Sequence, residues 1–171
     1  FGLSCIKVAS YDCGSLPLIK LLANEFDDII ISTGATFNEE IKATADYLNS
    51  VNQKFSFLHC VTIYPTPLQE MHLNRINYLK QFTSNVGLSD HTLTSQDGVK
   101  ACLVAIYHGA ETLERHFNIL PETEARDGKV SIGPDHIKQI VKFSILSKED
   151  QWQYIKANIP EYEAMLGSEL R

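Results

Sequence analysis

The stretch GLSDHT, residues 87–92, begins as an apolar strand and ends in small polar and ionisable side chains. Successive side chains of a strand point to opposite faces, so Ser89 and His91 share one face while Leu88 and Asp90 share the other. A strand of this kind suits a sheet that is buried on both sides and carries its chemistry at one end. The stretch therefore predicts a polar site at a strand terminus.

The same pattern returns about one helix and one strand later, in ETLERHF at residues 111–117. Here Glu114 and His116 share a face, and Arg115 points to the opposite one. Neighbouring strands lie about 4.8 Å apart, so side chains at the ends of two adjacent parallel strands can converge. The repeat predicts that His91 and His116 meet at one site.

Strand and helix patterns alternate along the chain. Five short apolar segments end in polar residues and are predicted as strands: 5–10, 29–34, 55–60, 86–91 and 112–117. Helical patterns are predicted at 16–26, 38–50, 73–82, 95–108 and 134–146. Strands joined by helices form a parallel sheet, and ligands bind such sheets where the strands end.

This alternation predicts an α/β fold, and the length decides between two versions of it. A closed (β/α)₈ TIM barrel takes about 250 residues and eight strands, so five strands fall three short. A self-contained doubly wound sheet is the alternative, but the chain has no GxGxxG fingerprint. We therefore predict a TIM barrel of which this chain covers about the C-terminal five βα units, in residues 1–146. Residues 147–171 are predicted as a helical extension or linker, with a helix starting at Ser147.

The composition argues against several classes of protein. With 171 residues, 44% hydrophobic and 21% charged, the chain is typical of a globular protein. A net charge of −6 argues against nucleic acid or an anionic membrane as a partner, and no apolar run reaches the length of a membrane span. The cysteines, Cys5, Cys13, Cys60 and Cys102, lack CxxC spacing and lie among apolar residues, which favours reduced, buried thiols of a cytosolic protein.

Five segments carry a resemblance to a known family: KVASYDCGSLPLIK, IIISTGAT, FLHCVTIYPTPLQEMHLNRI, VGLSDHT and LERHF. In this order they resemble the sialic acid synthases, meaning N-acetylneuraminate synthases and their legionaminic and related nonulosonic acid relatives. The resemblance implies a barrel that condenses phosphoenolpyruvate with an N-acetylmannosamine-type sugar. It implies a divalent metal, Mn²⁺ first, with Mg²⁺ or Co²⁺ as other choices. It further implies a cytoplasmic protein that is a homodimer at full length, and a chain that starts near the family's fourth strand.

The two histidines suit the metal that the resemblance implies. Two imidazoles plus water leave open positions on an ion, where a sugar aldehyde oxygen can bind and be polarised while the methylene carbon of phosphoenolpyruvate attacks. The resemblance makes both His91 and His116 metal ligands. An isolated histidine is more often a hydrogen-bonded core residue, but the pairing of the two at strand ends favours the site.

Lys7 lies in mid-strand among apolar residues, where an uncompensated ammonium is costly. It needs an anion, which is either Glu114 in an ion pair across the sheet or the carboxylate or phosphate of phosphoenolpyruvate. The resemblance favours the ligand and places Ser10, Ser32 and Ser89 beside it as hydroxyl donors.

Glu114 has two possible roles, since it could orient a metal-bound water or neutralise a buried cation. The resemblance makes Tyr64, in the IYPTP loop, a residue that contacts substrate. It makes Asp127 the acidic contact to sugar hydroxyls, against the alternative of an exposed loop aspartate. His59 is expected to make a structural hydrogen bond rather than to act in the site.

The chain departs from the family at three places. Thr62 stands where asparagine is common and Asp12 where glutamate occurs, and the loop TEARDGKVSIGPD replaces a more usual approach to the acidic residue. These departures leave the sugar open between N-acetylmannosamine, its 6-phosphate and a diacetamido hexose. The predicted substrate-binding residues are Ser10, Asp12, Ser32, Thr62, Tyr64, Ser89 and Asp127, and the predicted catalytic residues are Lys7, His91, Glu114 and His116.

Two other functions remain open at this stage. The chain could be a non-catalytic fragment or an assembly module that keeps the fold without a complete pocket. It could also be another phosphoenolpyruvate-dependent sugar-acid synthase, such as those that make octulosonate or heptulosonate phosphates, although the paired SDHT and ERHF motifs speak against this.

Overall fold

The computed structural model describes residues 2–167, in which six parallel strands alternate with helices. The strands are β1 (Cys5–Val8), β2 (Asp28–Ser32), β3 (Lys54–Cys60), β4 (Val86–Asp90), β5 (Thr112–Phe117) and β6 (Ser131–Ile132). Each strand pairs with its neighbours in sequence, in the order β1 to β6. The five predicted strands are confirmed, with ends shifted by up to two residues. The prediction was one strand short, because the two-residue β6 is too brief to show a strand pattern.

Helices follow most of the strands. They are α1 (Leu16–Glu25), α2 (Asn38–Ser50), α3 (Arg75–Leu79), α4 (Thr94–Asp97), α5 (Lys100–Tyr107), α6 (Pro134–Ser144), α7 (Lys148–Asn158) and α8 (Tyr162–Leu166). One face of the strands packs on these helices and forms the core, in which Ile29, Ile31, Phe57 and Leu88 are fully buried. None of the helices between residues 2 and 167 is long and apolar enough to cross a lipid bilayer.

The opposite face of the sheet is concave. Lys7 in β1 and Glu114 in β5 lie on this face, and Lys7 Nζ is 3.4 Å from Glu114 Oε2. In a flat sheet, two strands that are four places apart would be separated by about 19 Å, which is farther than these two side chains can span. The sheet therefore curves like part of a barrel, and we call its inner side the lumen face.

Two of the predicted helices differ from those observed. The helix predicted at 73–82 is only the short α3, since residues 71–74 are not helical and His72 among them has a φ of 48°. The helix predicted at 95–108 is broken into α4 and α5 at Gly98, whose φ of 56° interrupts the helical hydrogen bonds. The end predicted near His108 is confirmed, because α5 stops at Tyr107 and Gly109 has a φ of 83°.

Residues 147–167 pack against the rest of the fold. Ser147 caps α7 by accepting a hydrogen bond from Asp150 N, as its sequence predicts. Ile155 and Met165 are fully buried in the same core as the strands. The backbone N–H of Leu73 donates to Met165 O at 2.8 Å, which ties α8 to the loop after β3.

The four cysteines are free thiols. Cys13, Cys60 and Cys102 are buried, as predicted, and burial raises the pKa of Cys13 to about 12. The prediction is wrong for Cys5, which is exposed because β1 lies at an edge of the sheet.

Candidate active site

The two predicted histidines converge at the carboxyl edge of the sheet. His91 follows β4 directly, His116 lies near the end of β5, and their ring centroids are 5.4 Å apart. Tyr64 covers the pair, since its hydroxyl lies 2.8 Å from His91 Nε2 and its ring is 6.2 Å from that of His116. Asp127 reaches the other side, with Oδ2 at 3.7 Å from His116 Nδ1. Four predicted site residues thus form one cluster.

Burial sets the protonation of His91 and Tyr64. His91 is 5% exposed, and its burial, followed by the nearby charge of His116, lowers its pKa to about 4. Burial raises the pKa of Tyr64 to about 12. At neutral pH the His91 imidazole is therefore uncharged and the Tyr64 phenol is protonated. The Tyr64 oxygen and His91 Nε2 then share one proton in a hydrogen bond.

The donor set fits a divalent ion held by two imidazoles. Neutral imidazole is the form of histidine that binds metals, and the two rings are close enough to share one ion. Between residues 2 and 167, no group of three or more His, Cys, Asp and Glu side chains is arranged to hold a metal. A metal bound here would therefore depend on water or substrate to complete its coordination.

A second group of residues lines the lumen face below the histidines. Lys7 Nζ pairs with Glu114 Oε2, and the Ser89 hydroxyl donates to Glu114 Oε1 at 2.7 Å. Of the two anions considered for Lys7, Glu114 is thus present in an ion pair and neutralises this cation. Lys7 also donates to Val8 O at 3.0 Å and keeps 32% of its side chain exposed, which leaves it accessible to an anion.

Ser10 and Thr62 meet around Gly34, which follows β2. The Gly34 N–H donates to Ser10 Oγ at 3.1 Å. A Cβ on Gly34 would lie 2.8 Å from the Thr62 methyl and 3.0 Å from Cys60 O, so only glycine lets the three loops approach this closely. Ser32, the last residue of β2, is 2% exposed, and its hydroxyl has no hydrogen-bond partner among residues 2–167.

A cavity of about 350 Å³ opens beside Tyr64 and Asp127, two residues that contact the histidines. It is lined by Tyr64, Pro65, Asp127 and the loop around Arg126 and Lys129. This volume is in the range of small-molecule sites. A larger cavity lies between α6 and α7, away from every predicted site residue.

Three polar residues lie outside this cluster. Asp12 is exposed, and within the described part of the chain its carboxylate makes no hydrogen bond or ion pair with another predicted site residue. His59 Nε2 lies 2.6 Å from Met71 O, which agrees with its expected structural hydrogen bond. His108 Nε2 lies 3.0 Å from the Tyr162 hydroxyl, so it ties α8 to the end of α5.

Sequence reasoning missed Cys60 as a lumen residue. Its Sγ lies 3.9 Å from His91 Nδ1, and Ser10 and Ser89 hydrogen-bond to its thiol, whose pKa is raised mainly by burial. The alternation in FSFLHC could have revealed this, since His59 points to the helices and the next residue must point to the lumen.

Sequence reasoning also missed a buried ion pair behind the histidines. Arg115 Nη1 lies 2.5 Å from Asp90 Oδ2, and the two side chains are 3% and 0% exposed. The alternation placed both residues on the outer face, but their pairing depends on the register of β4 and β5, in which they stand directly opposite each other.

Comparison with known proteins gives a family match over most of the chain. The family model described as the NeuB family matches residues 1–151. The chain belongs to the NeuB family. The resemblance read from the five motifs is thereby confirmed, and the predicted histidines, Lys7 and Tyr64 all lie within the region that this NeuB family model matches.

Several NeuB relatives carry names of sugar-acid synthases. The pseudaminic acid synthase of Campylobacter jejuni is 34% identical over 137 residues, which cover 79% of this chain and 39% of the relative. The N,N'-diacetyllegionaminic acid synthase of the same species is 34% identical over 143 residues, with 81% and 42% coverage. The crystal structure of the spore coat polysaccharide biosynthesis protein SpsE of Bacillus subtilis superposes with a TM-score of 0.80 at 26% identity. That match covers 98% of this chain and 46% of SpsE. The chain thus spans about two fifths of the length of the curated NeuB relatives that it matches.

Proposed function

We propose that this chain supplies the C-terminal part of a (β/α)₈ barrel synthase that condenses phosphoenolpyruvate with an N-acetylmannosamine-type aldose and releases phosphate. The observation that carries the proposal is the convergence of His91, His116 and Tyr64 at the carboxyl edge of a NeuB family sheet. In barrel enzymes this edge is the side on which catalysis occurs.

Phosphoenolpyruvate would bind on the Lys7 side of the lumen face. The ammonium of Lys7 is accessible and can share its charge between Glu114 and a ligand anion. The Ser32 hydroxyl is buried with a free donor, which a ligand oxygen would satisfy. Ser10 and Ser89 supply further hydroxyls close to the same lumen thiol, that of Cys60.

The sugar would bind on the opposite side of the histidines, in the cavity beside Tyr64. There Asp127 can accept hydrogen bonds from sugar hydroxyls, and the Tyr64 phenol oxygen, whose proton is shared with His91, can accept one as well. Thr62 stands close to Gly34, between the two ligand positions. Asp12, which is exposed in the loop after β1, would come into contact only with a sugar that extends out of the pocket.

Between these two ligands, His91 and His116 would hold the divalent ion, with Mn²⁺ as the first choice and Mg²⁺ or Co²⁺ as others. When bound, such an ion supplies Lewis-acid polarisation of the sugar aldehyde. Glu114 and Ser89 keep the lumen side of the site hydrogen-bonded and hold Lys7 in place. The methylene carbon of phosphoenolpyruvate would then attack the aldehyde carbon, whose oxygen takes the electron pair of the broken C=O π bond and a proton. Water would add to the carbon that carries the phosphate, and the phosphate would leave with the electrons of its C–O bond.

The names of the relatives favour a nonulosonic acid as product. The two Campylobacter proteins are named for pseudaminic and diacetyllegionaminic acids, which points to a diacetamido hexose as one substrate to test here. We further propose that the full-length protein is a cytoplasmic homodimer.

The proposal is tested by phosphate release in the full-length protein, with phosphoenolpyruvate, Mn²⁺ and each of three sugars: N-acetylmannosamine, its 6-phosphate and a 2,4-diacetamido hexose. We expect release with one of them and its loss in His116→Ala. His108→Gln is the matched control, because His108 lies outside the site and makes a structural contact. Equal activity in the wild type and His116→Ala, or no release with any sugar, would contradict the proposal.

A further inference from the structure

The buried Asp90–Arg115 ion pair lies on the helix side of the sheet, directly behind the histidines. Each member is the chain neighbour of one histidine, since Asp90 precedes His91 and Arg115 precedes His116. The two residues face each other in the register of β4 and β5. With 0% and 3% of their side chains exposed, they cannot contact a ligand in the lumen.

The guanidinium of Arg115 also organises the chain beyond β4. It donates to Thr92 Oγ1 and to Thr94 Oγ1, both at 2.8 Å. Asp90 completes the network, because its Oδ1 accepts from Thr92 N at 2.8 Å and its Oδ2 accepts from Cys102 Sγ at 3.2 Å. Of the two residues that flank His91, Asp90 therefore belongs to the buried pair, and Thr92 is hydrogen-bonded to both of its members.

This network continues to the loop that carries Tyr64. Thr66 N donates to the carbonyl of His91 at 2.8 Å, and Thr66 forms an isolated bridge with Thr92. The backbone of His91 is thus fixed on one side by Asp90 and Thr92, and on the other by the Tyr64 loop. A change in the ion pair would reach Tyr64 through these bonds.

We propose that Asp90 and Arg115 are positioning residues that set the distance and orientation of His91 and His116. The reason is geometric. The direction in which a strand side chain points depends on the orientation of the backbone at that residue. The planar guanidinium of Arg115 bonds to several groups at the ends of both strands, and it therefore fixes the backbone orientation there. A lysine in place of Arg115 keeps the charge but cannot make the same set of bonds. The effect of this positioning on catalysis rests on the proposed function. The positioning of the two histidines by the ion pair does not depend on that function.

The first test uses the full chain without metal. The imidazole nitrogen resonances of the ¹⁵N-labelled protein are compared between the wild type, Arg115→Lys and the control Arg75→Lys. Arg75 is a matched control because it is 1% exposed and lies in α3, where it donates to Asn38 Oδ1. We expect Arg115→Lys to shift or broaden the resonances of His91 and His116 and to leave those of His59 and His108 in place.

The second test measures the affinity for Mn²⁺ alone by calorimetry. Loss of a group that orients a metal ligand typically weakens binding by about tenfold or more, and we expect this for Arg115→Lys but not for Arg75→Lys. Thr94→Ala, which removes one bond to Arg115, is the milder variant if Arg115→Lys does not fold, and a smaller effect in the same direction is expected.

The outcomes separate the two proposals. If the wild type does not bind Mn²⁺, the metal role in the proposed function fails, and the imidazole resonances still decide the positioning. If the His91 and His116 resonances of Arg115→Lys and Thr94→Ala match those of the wild type, the positioning role is overturned. Equal changes in all four histidines would also overturn it, because they would indicate a general loss of structure.

Discussion

Ser32 is a buried residue whose hydroxyl has no hydrogen-bond partner among residues 2–167, although it is only 2% exposed. A buried polar atom without a hydrogen-bond partner lowers the stability of the fold. The Ser32 hydroxyl therefore does not stabilise the protein unless a ligand binds to it. Ser10, on the neighbouring loop, is different, because its hydroxyl accepts the Gly34 N–H. The Ser32 hydroxyl thus has no structural bond to lose, whereas the Ser10 hydroxyl has one.

We expect Ser32→Ala to leave the free energy of unfolding nearly unchanged and to weaken phosphoenolpyruvate binding by about five- to tenfold, the value of one hydrogen bond. Ser10→Ala is the comparison, and it should lower stability by about 1–3 kcal/mol because it leaves the Gly34 N–H unsatisfied. Urea denaturation and calorimetry with phosphoenolpyruvate measure the two effects. A loss of stability in Ser32→Ala without a loss of binding would contradict the ligand role.

His91 makes the stability of the metal-free protein depend on pH. Its pKa is about 4 in the folded state and about 6.5 when unfolded, so between these values the unfolded chain binds a proton that the folded chain refuses. Stability is therefore present above pH 6.5 and is lost as the pH falls towards 4. We expect the wild type to lose on the order of 3 kcal/mol more than His91→Gln over this interval.

The measurement is chemical denaturation at several pH values in the presence of a chelator. The difference between the two proteins matters, because other groups also titrate in this range. Parallel pH profiles for the wild type and His91→Gln would show that the imidazole of His91 is not held in its neutral form by the fold.

At the scale of single residues, the sequence predicted contacts that depend on alternation and charge along one strand. The convergence of His91 and His116 was of this kind, and the Lys7–Glu114 ion pair was one of two alternatives that the sequence left open for Lys7. The Asp90–Arg115 pair was not predicted, because it depends on the register between two strands. The absence of a partner for the Ser32 hydroxyl could not be predicted either, since it depends on where every neighbouring polar side chain points.

At the scale of the elements, Gly87 controls how closely β4 and β5 approach. A Cβ at this position would lie 2.1 Å from Thr112 O and 2.6 Å from a Leu58 methyl. The first contact is with backbone, which cannot move without breaking the pairing of the two strands. The spacing of the strands that carry His91 and His116 therefore depends on the absence of a side chain here.

We expect Gly87→Ala to destabilise the fold by about 3 kcal/mol or more, the upper range for overpacking. Gly133→Ala is the matched control, because its Cβ would meet only Asn118 O at 3.9 Å, and its change in stability should stay within about 0.5 kcal/mol. Thermal or urea denaturation compares the two. Similar stabilities for both variants would show that the sheet can relax around the added methyl group.

The elements themselves were predictable to different degrees. Strands and long helices follow from apolar periodicity, and α2 was predicted to the residue. The break at Gly98 and the turn before α3 depend on positive φ angles, which periodicity does not report. The two residues of β6 pair with β5 only because the loop before them returns to the edge of the sheet, which is a tertiary effect.

At the scale of the whole molecule, the sheet is an open arc. In the described part of the chain, β1 pairs only with β2, and its other edge presents backbone groups beside the exposed residues Leu3 and Cys5. An unpaired strand edge invites pairing with another chain. The lumen residues, which a closed barrel would shield, also meet water along this arc.

We expect the isolated 171 residues to self-associate and to release no phosphate from phosphoenolpyruvate with N-acetylmannosamine and Mn²⁺, because an incomplete lumen does not align the two reacting carbons. Light scattering under reducing conditions measures the first effect, and Cys5→Lys should reduce it by placing a charge on the edge. Cys5→Ser controls for disulfide formation through the exposed thiol. A monodisperse monomer with the turnover of the full-length protein would contradict both expectations.

The overall curvature was beyond sequence reasoning, although a barrel was predicted. The strand count and the motifs indicated the family, whereas the bend of the sheet results from the summed twist and stagger of six strands. The ion pair between Lys7 and Glu114 shows that curvature most directly.

The strand order has a consequence for the route by which the chain folds. Since each strand pairs with its sequence neighbours, successive βα units can form one after another while the polypeptide emerges from the ribosome, with little loss of chain entropy at each step. The Lys7–Glu114 contact joins residues more than a hundred positions apart and must wait until β5 has been made. We therefore expect this contact to form late, after the transition state, so that its removal should accelerate unfolding and leave the rate of folding almost unchanged.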